Sequence, residues 1–223
     1  MTEPSLNITI LALQGGSRVQ MQGLLRMSAE EMRAVGLCVL GAVECVTEDM
    51  EDQAVRLLNL ASGSVSALHQ NLGSGAEGCS LDPERLVNAC AEVEASIAAR
   101  LAAGGSAADT VVVLSKFGRE EAEGRGLTGA FHAAVAAELP VLTALSPNAA
   151  WAWESFAGDM ALLVPVTDVD EQVGTGWWQG VLPQGRTAAN RLDDEAGGLV
   201  HEQAQWDGSP VFGGGKSSRS GVP

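Results

Sequence analysis

The stretch with the most distinctive chemistry runs from Ser115 to Gly126 and carries three basic and three acidic side chains. It follows Asp109 to Leu114, an apolar run that predicts a central strand buried on both faces of a parallel sheet. Open α/β sheets bind ligands at the carboxyl ends of their strands, so this loop is a candidate anion site.

The expected ligand-binding residues of this loop are Ser115, Lys116, Gly118, Arg119 and Arg125. Its candidate catalytic residues are Lys116, Glu121 and Glu123. The alternative is a solvated loop whose charges offset one another.

A second candidate is the glycine-rich segment before Asp82. Its three glycines match the dinucleotide fingerprint G-x-G-x-x-G, but the next helix begins only after Asp82, too late for the third glycine to lie within it. The segment is therefore a weak Rossmann candidate. Its backbone N–H groups could still bind an anion. The residues expected to contribute are Gly73, Gly75, Gly78 and Asp82.

The turn after the first predicted strand is where a phosphate-binding loop would lie. The strand spans Asn7 to Leu13, and the chain continues as Gln14-Gly15-Gly16-Ser17 without a Gly-Lys-Ser/Thr run. Without that lysine no fixed cation contacts the β- and γ-phosphates, so efficient hydrolysis is not expected. Gly15, Gly16 and Ser17 remain candidates for weak oxyanion or nucleotide binding.

Strand-like and helix-like segments alternate along the first three quarters of the chain. This order predicts an α/β fold with a doubly wound, mainly parallel sheet and a small hairpin over 56–70. Asp82-Pro83 predicts a helix start. The apolar residues expected to be buried in that helix are Leu86, Cys90, Val93, Ile97 and Leu101.

The character of the sequence changes after Pro165. Residues 1–165 are expected to form the α/β domain, and residues 166–223, acidic and rich in glycine, an irregular tail that is flexible or loosely packed. Trp177 and Trp178 are unusual in such a tail. Either they fold back onto the domain or they dock a protein partner.

Composition limits the partners and the setting. The chain has 223 residues and a formal net charge of −15, which argues against nucleic acid and anionic membranes as partners. No apolar run is long enough to cross a bilayer, so no membrane insertion is expected, and the absence of a leader-like start predicts a cytoplasmic protein. The cysteine and histidine spacing indicates neither a metal site nor a catalytic triad.

Two motifs together resemble a known family. The runs Asn71–Pro83 and Ser115–Gly126 look like those of the bacterial domain of unknown function 2478 family, and the resemblance covers about residues 7–165. It implies a P-loop-NTPase-like three-layer sandwich, similar to the thermophilic nucleoside-triphosphatase family. Family members usually carry Asn-Lys-Phe-Gly where this chain has Ser115-Lys116-Phe117-Gly118. The resemblance also implies a genomic association with molybdate uptake and molybdenum enzymes.

These observations lead to three hypotheses. The first is an accessory protein that binds a small anionic ligand, a nucleotide (with Mg²⁺ as the candidate cofactor) or an oxyanion, with weak or no catalysis. The second is an active Mg²⁺-dependent NTPase that uses Lys116 and a glutamate. The third is a non-catalytic interaction module that docks through Trp177 and Trp178.

Overall fold

A computed structural model describes residues 8–46, 55–69, 82–169 and 177–181. Within these ranges the strands are β1 (Ile10–Gln14), β2 (Cys38–Glu44), β3 (Arg56–Asn59), β4 (Val65–Ala67), β5 (Thr110–Leu114), β6 (Val141–Ala144) and β7 (Ala161–Pro165). The helices are α1 (Arg18–Ala34), α2 (Pro83–Ala102), α3 (Arg119–Ala122), α4 (Thr128–Ala136) and α5 (Ala150–Ala157). Short 3₁₀ turns lie at Pro147–Ala149, Gly158–Met160, Val166–Asp168 and Trp177–Val181.

The described strands form one sheet in the order β4-β3-β2-β5-β6-β1-β7. β2, β5, β6, β1 and β7 are parallel to their neighbours within this group, whereas β3 and β4 form an antiparallel hairpin at one edge. β5 is central and all five of its residues are buried. The predicted doubly wound, mainly parallel sheet with a small hairpin is therefore confirmed.

Each face of the sheet has its own apolar core. On one face α2, α4 and α5 bury Val93, Phe131 and Trp153 against the strands. On the other face α1 buries Leu25 and Met32. Helices thus cover both sides of the sheet, which is the expected three-layer sandwich. Among the described helices, none combines the length and apolarity needed to cross a lipid bilayer.

Local signals define where α1 and α2 begin. Ser17 caps α1, since its hydroxyl accepts from the backbone N–H of Gln20 while the Gln20 side chain accepts from the backbone N–H of Ser17. Asp82 caps α2 by accepting from the N–H groups of Glu84 and Arg85, and Pro83 is the first helical residue. The predicted start of α2 is confirmed.

The predicted buried stripe of α2 is only partly right. Cys90, Val93 and Ile97 are buried, but Leu86 is half-buried and Leu101 is 36% exposed. At 3.6 residues per turn, Leu101 lies roughly 80° around the helix from Val93, so it leaves the face that contacts the sheet. Side chains spaced four residues apart therefore rotate gradually away from the face of the helix that contacts the sheet.

Packed structure continues beyond Pro165. Val169 and Trp178 are 5% and 2% exposed and belong to the core on the α1 face. The indole N–H of Trp177 donates to Ser28 Oγ at 2.8 Å, and that of Trp178 donates to Glu31 Oε2 at 2.9 Å. Both tryptophans therefore fold back onto the domain. Residues 170–176 and 182–223 lie outside the described residues, and a loosely packed tail stays a prediction there.

Candidate ligand site at the carboxyl edge of the sheet

A buried carboxylate between two cations lies at the carboxyl edge of the sheet. Glu44, the last residue of β2, has a side chain that is only 3% exposed. Arg18 Nε lies 2.5 Å from its Oε2, and Lys116 Nζ lies 2.8 Å from its Oε1. These three residues are the Glu44 triad. It connects the first residue of α1 with the ends of the neighbouring strands β2 and β5.

The two cations keep Glu44 ionised. Burial by itself would raise the pKa of Glu44, but the charges and hydrogen bonds of Lys116 and Arg18 outweigh burial and lower the pKa. The triad carries two positive charges and one negative charge, which leaves a local excess of positive charge. Because the side chains of Arg18 and Lys116 are 34% and 42% exposed, that excess faces solvent.

Gln22 joins the two strands behind the triad. Its side chain is buried, with Nε2 donating to the carbonyl oxygen of Ser115 at 2.6 Å and Oε1 accepting from the backbone N–H of Glu44 at 2.8 Å. Ser115 is itself buried. Gln22 therefore satisfies backbone groups at the ends of β2 and β5 and restrains the chain at the point where Lys116 leaves the sheet.

The loop that follows Lys116 is organised around Glu121. Its carboxylate is buried and accepts from the backbone N–H of Gly118 through Oε2 and from that of Leu127 through Oε1, both at 2.9 Å. Burial raises the pKa of Glu121, while the N–H groups of Leu127 and Gly118 act in the opposite direction. A side chain at Gly126 would collide with this carboxylate. In this geometry Glu121 ties the two ends of the loop together.

The remaining charges of the loop pair with one another near solvent. Arg119 Nε lies 2.8 Å from Glu123 Oε1, and Arg125 contacts Glu120 and Glu123 at 2.8 and 2.6 Å. Hydrogen bonds from Arg119 and Arg125 lower the pKa of Glu123. This arrangement agrees with the alternative of a solvated loop with offsetting charges for its outer part, whereas Lys116 belongs to the buried triad.

A cleft of about 270 Å³ opens beside the triad, and we call it the carboxyl-edge cleft. Its polar lining residues are Glu44, Ser115, Lys116, Arg119, Glu120, Glu121, Ser146 and Asn148. Its apolar wall consists of Val55, Leu57, Leu68 and Leu86. Of the predicted residues, Ser115, Lys116, Gly118, Arg119 and Glu121 line this cleft, while Arg125 lines an adjoining groove.

The other predicted residues lie elsewhere. Gly15 and Gly16 line a separate cavity of about 560 Å³ beside α1, and Ser17 caps that helix. Asp82 caps α2 and pairs with Arg85 at 3.2 Å. Gly73, Gly75 and Gly78 lie outside the described residues.

The connection between β1 and α1 is too short for a phosphate-binding loop. Only Gly15, Gly16 and Ser17 separate the two elements. The P-loop pattern places eight residues from its first glycine to its final serine or threonine, so that successive N–H groups surround a phosphate. Gly16 is also closely packed, since a side chain there would collide with Val166.

Sequence reasoning missed Arg18, Gln22 and Glu44. The signal for Glu44 was present, because an acidic residue directly follows the apolar run that forms β2, at the edge where ligands bind. Its partners could not be inferred, since Gln22 lies 22 positions from Glu44 and 93 positions from Ser115, the two residues whose backbone it contacts.

The fold is the expected P-loop-NTPase-like three-layer sandwich, with the cleft at the carboxyl edge of its sheet. The structure resembles the crystal structure of THEP1 from the hyperthermophile Aquifex aeolicus with a TM-score of 0.51, covering 78% of this chain and 95% of that one. The two sequences are only 11% identical, so this likeness concerns the fold alone.

The family model of the protein of unknown function DUF2478 matches residues 10–177, and the chain belongs to this family. The expected family and fold are thus confirmed. The match extends past residue 165, where the resemblance was expected to end, and includes Trp177, which packs on α1.

A curated relative is the molybdenum import ATP-binding protein ModC 2 of Bradyrhizobium diazoefficiens. It is 32% identical over 158 residues, which is 70% of this chain. The matched part is only 16% of the relative's own length.

Proposed function

We propose that this protein binds a small anionic ligand, a nucleotide or an inorganic oxyanion, in the carboxyl-edge cleft, with weak or no NTPase activity. The observation that carries the proposal is Lys116, whose ammonium group pairs with a buried carboxylate at the cleft while its side chain remains 42% exposed. The excess positive charge of the Glu44 triad lies at the edge of the sheet where α/β folds bind ligands. Although the whole chain has a net charge of −15, this local excess of positive charge attracts an anion.

Weak catalysis follows from the geometry of the candidate groups. The short connection from β1 to α1 has no lysine to contact transferring phosphates. Both carboxylate oxygens of Glu121 accept backbone N–H bonds, and Glu123 pairs with Arg119 and Arg125. An active NTPase using Lys116 and one of these glutamates would require that glutamate to give up its present partners.

The residues present do not fit a Mg²⁺ site of the P-loop kind. That site takes a hydroxyl from the phosphate-binding loop and a carboxylate from a strand end. Here the Ser17 hydroxyl caps α1, and both oxygens of Glu44 contact cations. Across the described ranges, no three His, Cys, Asp or Glu side chains cluster in a way that could hold a metal ion. We therefore expect any Mg²⁺ to arrive with the ligand.

The setting we propose is that of an accessory to molybdenum uptake or to molybdenum enzymes. The relative's name, a molybdenum import ATP-binding protein, supports including molybdate among the candidate oxyanions. A cytoplasmic location accords with this role. Docking of a protein partner through Trp177 and Trp178 is less favoured, because Trp178 would first have to leave the core.

Isothermal titration calorimetry with phosphate, molybdate, AMP and ATP, with and without Mg²⁺, tests the proposal. We expect at least one ligand to bind and Lys116→Met to weaken it by at least about tenfold, or about 1.4 kcal/mol. Arg26→Met is the matched control, because Arg26 lies on the exposed side of α1 and, among the described residues, pairs only with Glu30 at 3.2 Å. Absence of binding to all four ligands, or wild-type affinity in Lys116→Met, would refute the proposal.

A phosphate-release assay measures the level of catalysis. We expect release from ATP and GTP with Mg²⁺ to stay at the rate of buffer alone. Turnover that disappears in Lys116→Met but persists in Arg26→Met would instead support the active NTPase.

A further inference from the structure

The carboxyl-edge cleft adjoins a larger groove, which we call the α2 groove. It has a volume of about 910 Å³ and lies between α2 and the 124–129 segment. Leu86 and Glu120 line both the cleft and the groove, so the two spaces meet at these side chains. The cleft alone is smaller than the roughly 300–1,000 Å³ typical of small-molecule sites, whereas the groove lies within that range.

The α2 groove has a wall that suits a flat, largely apolar group. Leu86, Val87, Cys90 and Ala91 present one side of α2 to it. Val87 is 65% exposed although it is apolar. Burial raises the pKa of Cys90 to about 12, so its thiol is neutral and contributes as a small apolar group.

The opposite side of the groove consists largely of glycine backbone. Gly124, Gly126 and Gly129 line this side, and nothing lies within 4 Å of the position that a side chain at Gly124 would take. A side chain at Gly129 would collide with the carboxylate of Glu94, so this carboxylate lies against the first turn of α4. The open position at Gly124 leaves room for a flat ring between this backbone and the aliphatic wall of α2.

The charges of the groove exclude a second anion. Glu94 and Glu120 line it, and Arg125, its basic residue, is already paired with Glu120 and Glu123. A group that offers N–H donors complements Glu94, whereas a phosphate would be repelled. The hydrogen-bond-donating end of a ligand therefore belongs in the groove and its negative end beside Lys116.

We propose that the cleft and the α2 groove form one site for a nucleoside phosphate, with the phosphate beside Lys116 and the base between α2 and the glycine backbone of 124–129. Exocyclic amino groups of the base donate hydrogen bonds to Glu94. This inference rests on the proposed function and selects the nucleotide over the inorganic oxyanion as the ligand that fills the site.

Two matched pairs of variants test where the base binds. Ala91→Phe fills the groove from an exposed position on α2, and Ala95→Phe makes the same change one turn later, at an exposed position outside the groove lining. Glu94→Gln removes the acceptor charge, and Glu92→Gln removes an exposed charge from the same helix outside the groove. The ligands are AMP, GMP, CMP, ribose 5-phosphate and inorganic phosphate, titrated by calorimetry.

We expect at least one nucleotide to bind about tenfold or more tightly than ribose 5-phosphate, because only the nucleotide carries a base. Ala91→Phe and Glu94→Gln should reduce that advantage, and Ala95→Phe and Glu92→Gln should preserve it. Affinity for inorganic phosphate should be the same in all five proteins.

Two results would overturn the inference while leaving the proposed function intact. One is equal affinity of the wild-type protein for nucleotides and ribose 5-phosphate. The other is a base advantage that survives Ala91→Phe undiminished. Failure of every phosphate compound to bind would instead overturn the proposed function, and the inference with it.

Discussion

Lys116 Nζ lies 2.8 Å from Oε1 of Glu44, and this ion pair joins the ends of two neighbouring parallel strands. Arg18 contacts the other oxygen of the same carboxylate from the start of α1. One buried negative charge thus restrains two cations from different elements. A ligand anion that approaches Lys116 meets an ammonium group already held in place, which reduces the conformational entropy lost on binding.

The first prediction concerns Glu44 and pH. The folded-state pKa of Glu44 is below its unfolded value of about 4.3, so its stabilisation is fully present above that pH. It is lost as the pH falls through the lowered folded-state pKa. Glu44→Gln should therefore destabilise the protein by about 1–3 kcal/mol at pH 7 and by progressively less below about pH 4.3.

Urea unfolding of wild-type and Glu44→Gln protein between pH 3 and 7 measures this difference. Glu121, whose pKa is raised, contributes in the opposite sense, but it is present in both proteins and cancels in the comparison. Glu30→Gln is the control, since Glu30 is exposed and its one ion pair within the described part of the chain is with Arg26. A difference between wild type and Glu44→Gln that does not change with pH would contradict the ionised triad.

The second prediction compares neighbouring glutamates of the 116–126 loop. Glu121→Ala removes the acceptor for the N–H groups of Gly118 and Leu127 and should destabilise the fold by about 3 kcal/mol. Glu120→Ala removes only a solvent-exposed pair with Arg125 and should have an effect of about 0–1 kcal/mol.

Hydrogen exchange gives the site-specific readout for this pair of variants. The amides of Gly118 and Leu127 should lose protection in Glu121→Ala and retain it in Glu120→Ala. Equal destabilisation by the two substitutions would show that Glu121 does not organise the loop, and would renew its candidacy as a catalytic group.

The fold could be predicted from the sequence because each element carries a local signal. Each of these signals occupies only a few consecutive residues. Examples are the β-branched run of β5, the Asp82-Pro83 start of α2 and the glycines after α2. The burial of Leu101 was predicted wrongly, because side chains spaced four apart rotate away from the sheet along a long helix.

The candidate site could be predicted only in part. Lys116 was identified because it closely follows β5, the segment with the clearest strand pattern. Glu44 lies 72 positions earlier, and no local pattern connects the two residues. Their contact depends on β2 lying beside β5, and the order of strands in a sheet is not their order in the chain. Gln22 depends on the same adjacency, because it bridges the backbone of both strands.

The third prediction concerns a glycine that allows β2 and β5 to approach. Gly41 has φ of 108°, and a side chain there would collide with the carbonyl oxygen of Val113 on the adjacent strand. Gly41→Ala should cost about 3 kcal/mol or more, through both backbone strain and displacement of β5. Since Lys116 follows β5, ligand affinity should fall as well.

Gly63→Ala is the matched control for this substitution. Gly63 also has a positive φ, 75°, but nothing lies within 4 Å of the position a side chain would take. It should lose only about 1–2 kcal/mol, the cost of a left-handed conformation without a clash. Chemical denaturation of both variants tests the difference, and equal losses would mean that strain alone explains the Gly41 result.

The last prediction concerns the segment after residue 165. Trp178 is 2% exposed, packs in the core on the α1 face and donates to Glu31, so Trp178→Ala should destabilise the whole domain by about 3–5 kcal/mol. Trp151 provides the control, because it is 71% exposed and its replacement by alanine should change stability by only about 0.5 kcal/mol.

Denaturation followed by far-UV circular dichroism measures both variants without relying on tryptophan fluorescence. A domain that tolerates Trp178→Ala as well as Trp151→Ala would place 177–181 outside the cooperative unit. Its tryptophans would then be free to contact a partner.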